Sequence, residues 1–217
     1  MQKNNEITKK LFDFDVALKS NYICGVDEAG RGPLAGPVVC AAVIMPYEVM
    51  IEGINDSKKI SEPKRETLYN QIIRTALAYK IVAVSAELID KINILEATKR
   101  GMEEAILGLK TVPDTILVDA VKGLNIGREY IAIIKGDATS YSIACASILA
   151  KYWRDSMMKQ AALNYPLYGF EKNKGYGTLS HIEAFKLYGK TPLHRETFLK
   201  NFQKDKDIAE VAARGKV

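Results

Sequence analysis

The chain has 217 residues, of which 47% are hydrophobic and 26% are charged, and its formal net charge is +5. This composition suits one globular domain with a substantial core, and it excludes a disordered tail, a collagen-like chain and a repeat array. No apolar run approaches the roughly 18 residues of a membrane span, and no apolar secretion segment opens the chain, so we expect a cytoplasmic protein with no membrane contact.

Hydrophobic patterning predicts strands alternating with helices over the first two thirds of the chain. We expect a short helix within residues 1–20, strands over 22–27, 38–45 and 80–86, and helices over 61–78 and 92–109. Two more strands are expected over 115–118 and 130–134. This order predicts an α/β fold with a mixed sheet that carries helices on its faces.

The last third of the chain is predicted to be mainly helical. A long helix over 139–163 opens with SYSIACASILA, whose small residues allow a helix to approach a sheet closely. A loop rich in glycine and aromatic residues follows over 164–178, and shorter helices are expected near 179–188 and 195–203. We expect one domain over 1–217, with a core of about 20–163 and a helical C-terminal part of about 164–217.

Acidic side chains follow three of the predicted strands. Asp27 and Glu28 end the first, Asp119 ends the fourth and Asp137 follows the fifth. Carboxylates that converge at one sheet edge repel one another unless cations lie between them, and oxygen ligands favour Mg²⁺ or Mn²⁺. Two such ions can activate water and stabilise the leaving oxygen of a phosphodiester. The alternative for each aspartate is a turn or a helix cap, and Asp137 stands directly before a helix.

The glycine-rich stretch GVDEAGRG over 25–32 does not match a nucleotide-binding loop. Arg31 and Gly32 stand where a P-loop needs Lys and Ser or Thr, and the dinucleotide pattern GxGxxG is absent from the stretch. The two acidic residues within it would also repel a triphosphate. We therefore exclude both nucleotide-binding functions.

Basic residues are concentrated near the C-terminus. Residues 135–217 carry 14 basic and 8 acidic side chains, which suits either a phosphate-binding surface or an ordinary solvated one. Lys172 and Lys174 flank Tyr176 in an aromatic loop, a combination typical of nucleic-acid binding. On the long helix Ser147 and Lys151 share a face with Arg154, one turn apart, where they could meet a phosphate or only face water.

The cysteines and histidines show no metal-binding spacing. Cys24, Cys40 and Cys145 lie far apart among apolar neighbours, so we expect buried reduced thiols rather than a disulfide framework or a zinc site. His181 and His194 are interpreted as structural or adjacent to the substrate.

Several blocks in this chain resemble bacterial ribonuclease HII. They are GVDEAGRGPLAGPVV (25–39), DSKKIS (56–61), LVDA (117–120), KGDATSYSIACASILAK (135–151), NKGYGT (173–178) with His181, and PLHRETF (192–198). The resemblance spans roughly residues 20–202, and its first block is the most specific. It implies a ribonuclease-H-like fold with a five-stranded mixed sheet and a helical C-terminal part.

The resemblance also implies an activity and a set of site residues. Members of the family cleave RNA in RNA/DNA hybrids and cut 5′ of single ribonucleotides in duplex DNA, leaving 3′-hydroxyl and 5′-phosphate ends. Asp27, Glu28, Asp119 and Asp137 would hold two Mg²⁺ or Mn²⁺ ions. The turn Gly30, Arg31 and Gly32 would contact the 2′-hydroxyl, Tyr176 would stack on the following deoxyribose, and Lys58 and Lys59 would contact phosphate.

We keep three alternatives to this expectation. A ribonuclease HIII-like nuclease is disfavoured by Arg31 between two glycines and by a short N-terminal segment that leaves no room for an extra substrate-binding domain. A non-catalytic hybrid-binding protein would need the carboxylates to be structural, and a sugar or nucleotide hydrolase has no signature beyond acidic strand ends. The expected roles are ribonucleotide excision repair and primer removal in DNA replication, carried out by a monomer.

Overall fold

The computed structural model describes residues 2–200, with side chains from residue 5 onwards. The helices are α1 (Gln2–Ala17), α2 (Glu62–Thr75), α3 (Ala86–Ile92), α4 (Ile94–Leu107), α5 (Tyr141–Asn164), α6 (Phe170–Asn173), α7 (Leu179–Tyr188) and α8 (Glu196–Leu199). The strands are β1 (Ile23–Ala29), β2 (Val38–Ile44), β3 (Ala78–Val84), β4 (Thr115–Asp119) and β5 (Ile131–Ile133). The end of the helix predicted near 195–203, and the tail after it, lie outside the described residues.

The five strands form one mixed sheet in the order β3-β2-β1-β4-β5, which confirms the predicted α/β fold. β1 and β2 pair antiparallel, as do β2 and β3, whereas β4 pairs parallel with both β1 and β5. The carboxyl ends of β1, β4 and β5 therefore meet at one edge of the sheet.

The long helix α5 packs directly on β1, as its small residues predict. A Cβ atom on Gly25 would overlap the backbone of Ser142, so only glycine permits this approach. Ala144 and Ala146 of α5 are fully buried against Val39 and Ala41 of β2. This close packing fixes the helix that later supplies site residues relative to the strands that carry the carboxylates.

The opposite face of the sheet is covered by α3 and α4. Met102 and Ala105 of α4 are fully buried against Cys40 of β2 and Val118 of β4. The helix predicted over 92–109 is α4, whereas α3 before it was not predicted. The two helices are separated at Asn93, whose φ of 67° lies in the left-handed region. Its side chain accepts hydrogen bonds from the backbone N–H groups at the start of α4 and so caps that helix.

The C-terminal helices pack on the far end of α5. Phe170 of α6 and Tyr168 beside it bury against Met158 of α5 and Ala184 of α7. Within residues 2–200 no helix combines the length and the apolar character that crossing a lipid bilayer demands.

Candidate active site

The predicted carboxylates lie at one edge of the sheet. Val26 of β1 pairs with Val118 of β4, so the residues that follow, Asp27 and Asp119, are neighbours. Asp137 lies in a short 3-10 turn after β5. The first residue of this turn, Gly136, donates its backbone N–H to Asp119 Oδ1 at 2.7 Å and so joins the turn to the end of β4.

A cavity of about 400 Å³ opens at this edge. Its walls combine the acidic residues with the predicted recognition residues. Those lining it are Asp27, Glu28, Ala29, Gly30, Arg31, Gly32, Ser57, Lys58, Arg65, Asp119, Ser147, Lys151 and Tyr176. Asp137 and Lys59 are not among them, although the negative charges of Asp119 and Asp56 act on Asp137.

Burial and neighbouring negative charges raise the pKa values of Asp27, Glu28 and Asp137. Asp27 is only 4% exposed, and its burial, followed by the charges of Glu28 and Asp119, raises its pKa well above the usual value. Burial also raises the pKa of Glu28, although the nearby Arg31 guanidinium opposes this. The pKa of Asp137 is raised by burial and then by the charge of Asp56. The edge therefore accumulates more negative charge than the protein itself balances.

This donor set fits hard divalent cations. Glu28 Oε2 is buried without a hydrogen-bond partner among the described residues, while Glu28 Oε1 lies 3.5 Å from Arg31 Nη1. A buried oxygen without a partner is rare, and carboxylate oxygens are the ligands that Mg²⁺ and Mn²⁺ prefer. As they stand, no three His, Cys, Asp or Glu side chains within the described part of the chain form a ready-made group around one ion. The unpaired oxygen of Glu28 and the repulsion between neighbouring carboxylates suit a site whose acidic side chains would move closer together around added cations.

Ser147 of α5 holds the side chain of Asp27 by a hydrogen bond. Its side chain is buried, bonds to the Asp27 carboxylate, and lies with its Oγ 2.9 Å from Ser57 Oγ. Arg65 in turn donates from Nη2 to the carbonyl oxygen of Ser57 at 3.0 Å. Ser57 and Arg65 were not predicted as site residues, although Ser57 lies inside the quoted DSKKIS block.

The lysines predicted to contact nucleic acid occupy different positions. Lys58 and Lys151 line the cavity, and Lys151 Nζ also lies 2.7 Å from Asp155 Oδ1. Lys59 is exposed and lies 3.5 Å from Asp56, outside the cavity wall. Lys172 lies on α6, also outside the wall, so contacts of these two residues with nucleic acid stay predictions.

Lys174, also predicted to contact phosphate, is largely buried. The residue is only 9% exposed, and its Nζ donates to the carbonyl oxygen of Glu171 within its own loop. This bond ties Lys174 to α6 and uses one of its three N–H donors, so a contact of the ammonium group with phosphate stays a prediction.

Two buried arginines hold the glycine turn. Arg195 donates to the carbonyl oxygens of Gly30 at 2.6 Å and Arg31 at 2.9 Å. Arg154 lies under the turn and donates to Pro37, and a Cβ on Gly30, whose φ is +99°, would overlap it. Arg154 is thus fully buried and not on a phosphate-facing surface. Arg195 lies in the quoted PLHRETF block, but no role was predicted for it.

Tyr176 stands at the cavity with its ring half-exposed. The guanidinium carbon of Arg154 lies 5.7 Å from the ring centroid, in cation–π range. The carbonyl oxygen of Tyr176 accepts from His181 Nδ1 at 2.9 Å. The glycine turn and Tyr176, far apart in sequence, thus face the same cavity as the carboxylates.

The sequence of this chain matches known proteins over most of its length. A family model described as ribonuclease HII matches residues 24–202. The ribonuclease HII of Ruminiclostridium cellulolyticum is 56% identical over 182 residues, which cover 84% of this chain and 71% of that protein.

Solved structures give the same fold. The crystal structure of ribonuclease H2 from Pyrococcus horikoshii OT3 matches with a TM-score of 0.72 and 27% identity, covering 85% of this chain and 100% of that one. A crystal structure of Bst-RNase HIII in complex with Mn²⁺ matches with a TM-score of 0.65, over 96% of this chain and 73% of that one. Its 16% identity supports the fold alone.

The match extends over most of the chain and confirms the resemblance of the sequence blocks. The relatives that are 55–56% identical are named ribonuclease HII, whereas the ribonuclease HIII structure is 16% identical, which favours HII over HIII. The chain belongs to the ribonuclease HII family and is a ribonuclease H, an enzyme that hydrolyses phosphodiester bonds.

Proposed function

We propose that this ribonuclease H hydrolyses the RNA strand of RNA/DNA hybrids and also cuts 5′ of single ribonucleotides embedded in duplex DNA, leaving 3′-hydroxyl and 5′-phosphate ends. The observation that carries the proposal is one cavity shared by the acidic edge, the Gly30–Gly32 turn and Tyr176. An enzyme that cuts at a lone ribonucleotide must read its single 2′-hydroxyl beside the groups that cut.

Asp27, Glu28, Asp119 and Asp137 would hold two divalent ions, Mg²⁺ or Mn²⁺. When bound, such ions supply an activated water and stabilise the departing 3′-oxygen. The partnerless Glu28 Oε2 supports this assignment, as does the Mn²⁺ named in the Bst-RNase HIII structure. Hydrogen bonds from Ser147 and from the backbone N–H of Glu28 would fix the Asp27 carboxylate in position. The Glu28 N–H donates to Asp27 Oδ1 at 2.7 Å.

The glycine turn would read the sugar. Space is open above Gly32, where an added Cβ would meet nothing within 4 Å, so a ribose can approach the backbone closely. Arg195 fixes the turn by occupying the carbonyl oxygens of Gly30 and Arg31. Tyr176 offers a flat ring that a deoxyribose tolerates and a 2′-hydroxyl would crowd. The turn and the ring together would recognise a junction between a ribonucleotide and a deoxyribonucleotide.

The lysines at the cavity would bind the phosphodiester backbone. Lys58 is exposed and Lys151 is partly exposed at the cavity wall. Contacts of this kind neutralise phosphates without reading the base sequence, so binding should weaken as salt rises.

Cleavage of a defined substrate tests the proposal. Purified protein is incubated with duplex DNA containing one ribonucleotide, with Mg²⁺, with Mn²⁺ or with EDTA, and the cut is mapped on a sequencing gel. We expect one cut 5′ of the ribonucleotide, only with added metal. A cut on the 3′ side, or cleavage restricted to long RNA/DNA hybrids, would contradict the proposed substrate range.

The proposed roles are ribonucleotide excision repair and removal of RNA primers during DNA replication, in the cytoplasm. The three cysteines are free and buried, which suits a reducing compartment.

A further inference from the structure

The two histidines form a buried pair behind Tyr176. His181 Nε2 lies 3.1 Å from His194 Nε2, and both side chains are buried. His181 comes from α7, whereas His194 lies just before α8. Since the sequence contains only two histidines, this pair accounts for every imidazole in the protein.

Hydrogen-bond donors around the pair fix where each ring carries its proton. The backbone N–H of Thr191, which can only donate, points at His194 Nδ1 at 2.9 Å, so this nitrogen accepts. The proton of neutral His194 is then on Nε2, which donates to His181 Nε2. The proton of His181 is therefore on Nδ1, which donates to the carbonyl oxygen of Tyr176 at 2.9 Å. The two imidazoles therefore form a hydrogen-bond chain, here called the relay, in which His194 donates to His181 and His181 donates to the Tyr176 carbonyl oxygen.

The surroundings keep both rings neutral. Aromatic rings of Phe170, Phe185 and Tyr168 pack against the pair, and no carboxylate is hydrogen-bonded to either imidazole among the described residues. Burial lowers the pKa of both histidines, for His194 to about 4. A proton added to His181 would set two N–H groups against each other across 3.1 Å.

The relay ends on the backbone carbonyl oxygen of Tyr176, and the position of the backbone sets the position of the ring. Tyr176 is 43% exposed and lines the cavity, and its ring contacts the Arg154 guanidinium. The backbone of the residue is held by His181, by Thr178 N, which donates to the same carbonyl, and by its own N–H to Asn173. Asn173 ends α6 and Thr178 caps α7, and both bond through their backbones, so of these three partners only His181 contributes a side chain.

We propose that His181 and His194 are positioning residues, whose one-way hydrogen-bond relay anchors the Tyr176 carbonyl and so holds the ring where it reads the sugar 3′ of the cleaved ribonucleotide. The inference rests on the proposed function for its substrate. It predicts a loss of junction recognition when the donation to Tyr176 is lost, even if the fold and the acidic edge stay intact.

Two substitutions at one position separate positioning from mere packing. In His181→Asn the side-chain amide can occupy the place of Nδ1 and still donate to Tyr176, whereas in His181→Gln the amide reaches the place of Nε2 and the donation is lost. Both variants lose the imidazole packing against Phe170. We expect KM for the single-ribonucleotide duplex to rise about tenfold in His181→Gln, with kcat little changed, because one hydrogen bond is lost. His181→Asn should stay close to the wild type. Equal KM values in the two variants would overturn the inference.

Nuclear magnetic resonance on the untagged wild-type protein gives a readout that needs no variant. A long-range ¹H–¹⁵N spectrum distinguishes Nδ1-protonated from Nε2-protonated imidazoles. We expect one ring of each tautomer at neutral pH, His181 on Nδ1 and His194 on Nε2. Two identical tautomers, or a charged ring at pH 7, would refute the relay.

Failure of the inference and failure of the proposed function give different results. If the wild type does not cut the single-ribonucleotide duplex, the proposed function fails whatever the spectrum shows. If the wild type cuts it but the two variants behave alike, the relay is wrong and the function stands.

Discussion

At the scale of single residues, the acidic edge places unbalanced charge in a buried position. Asp27 is almost fully buried beside Glu28 and Asp119, and hydrogen bonds from Ser147 and the Glu28 backbone offset part of the cost. Such repulsion lowers the stability of the folded protein when no cation is present. Residues kept for a function at the expense of stability are common in active sites.

Asp27→Asn should therefore stabilise the protein and inactivate it. Removing one repelling charge should raise the melting temperature in EDTA by about 2–4 °C, the change that roughly 1 kcal/mol gives in a chain of this size. Cleavage with Mg²⁺ should fall at least about a hundredfold, since the proposed acidic metal ligand is lost. Asp13→Asn, at an exposed residue paired with Lys9, is the matched control and should change neither property much. Retained cleavage in Asp27→Asn would show that this carboxylate is structural.

At the scale of elements, the contact of α5 with β1 sets the geometry of the site. β1 carries Asp27 and Glu28, and α5 carries Ser147 and Lys151, so any shift between the two elements separates groups that line one cavity. Their spacing is set by Gly25, where a side chain would overlap the α5 backbone. A backbone neighbour cannot move aside as a flexible side chain can.

Two glycine substitutions distinguish packing from substrate contact. Gly25→Ala should cost about 3 kcal/mol or more of unfolding free energy, within the range for overpacking, or prevent folding altogether. Gly32→Ala faces open space and should leave stability within about 0.5 kcal/mol of the wild type. If the turn meets the ribose, Gly32→Ala should still raise KM for the single-ribonucleotide duplex. Urea unfolding and steady-state cleavage measure these effects, and a fully stable Gly25→Ala protein would contradict the packing argument.

At the scale of the whole molecule, residues beside the C-terminal helices contact the part of the molecule that carries the acidic edge. Arg195 beside α8 holds the glycine turn after β1, and His194 beside it connects to Tyr176 through His181. The helical part is therefore coupled to the recognition surface and is not a separate appendage. Its buried neutral histidines also make its stability sensitive to acid.

The sign of that sensitivity follows from the lowered histidine pKa values. In the unfolded chain histidine binds a proton near pH 6.5, whereas folded His194 does so only near a pKa of about 4. The contribution of neutral His194 to the free energy of unfolding is therefore complete above pH 6.5 and is lost as the pH falls toward 4. The raised pKa values of Asp27 and Glu28 act in the opposite direction. We expect His194→Gln to lose less unfolding free energy between pH 7 and pH 5 than the wild type, as measured by urea titration. An equal loss in both proteins would show that His194 is not buried in its neutral form.

Sequence alone determined the fold class and predicted that four acidic residues follow the strands, because strand periodicity and the residues at strand ends are local properties of the chain. The role of these four residues as metal ligands stays a prediction. Sequence also identified the family, through blocks that keep their order. Only the tertiary structure showed that Arg154 and Arg195 lie beneath the glycine turn, that Lys174 closes its own loop, and that the two histidines touch. The hydrogen bond from Arg195 to Gly30 joins residues 165 positions apart. A basic or imidazole side chain can be a buried anchor or can bind substrate. The outcome depends on which distant carbonyl groups folding brings beside that side chain, and no local sequence pattern records this.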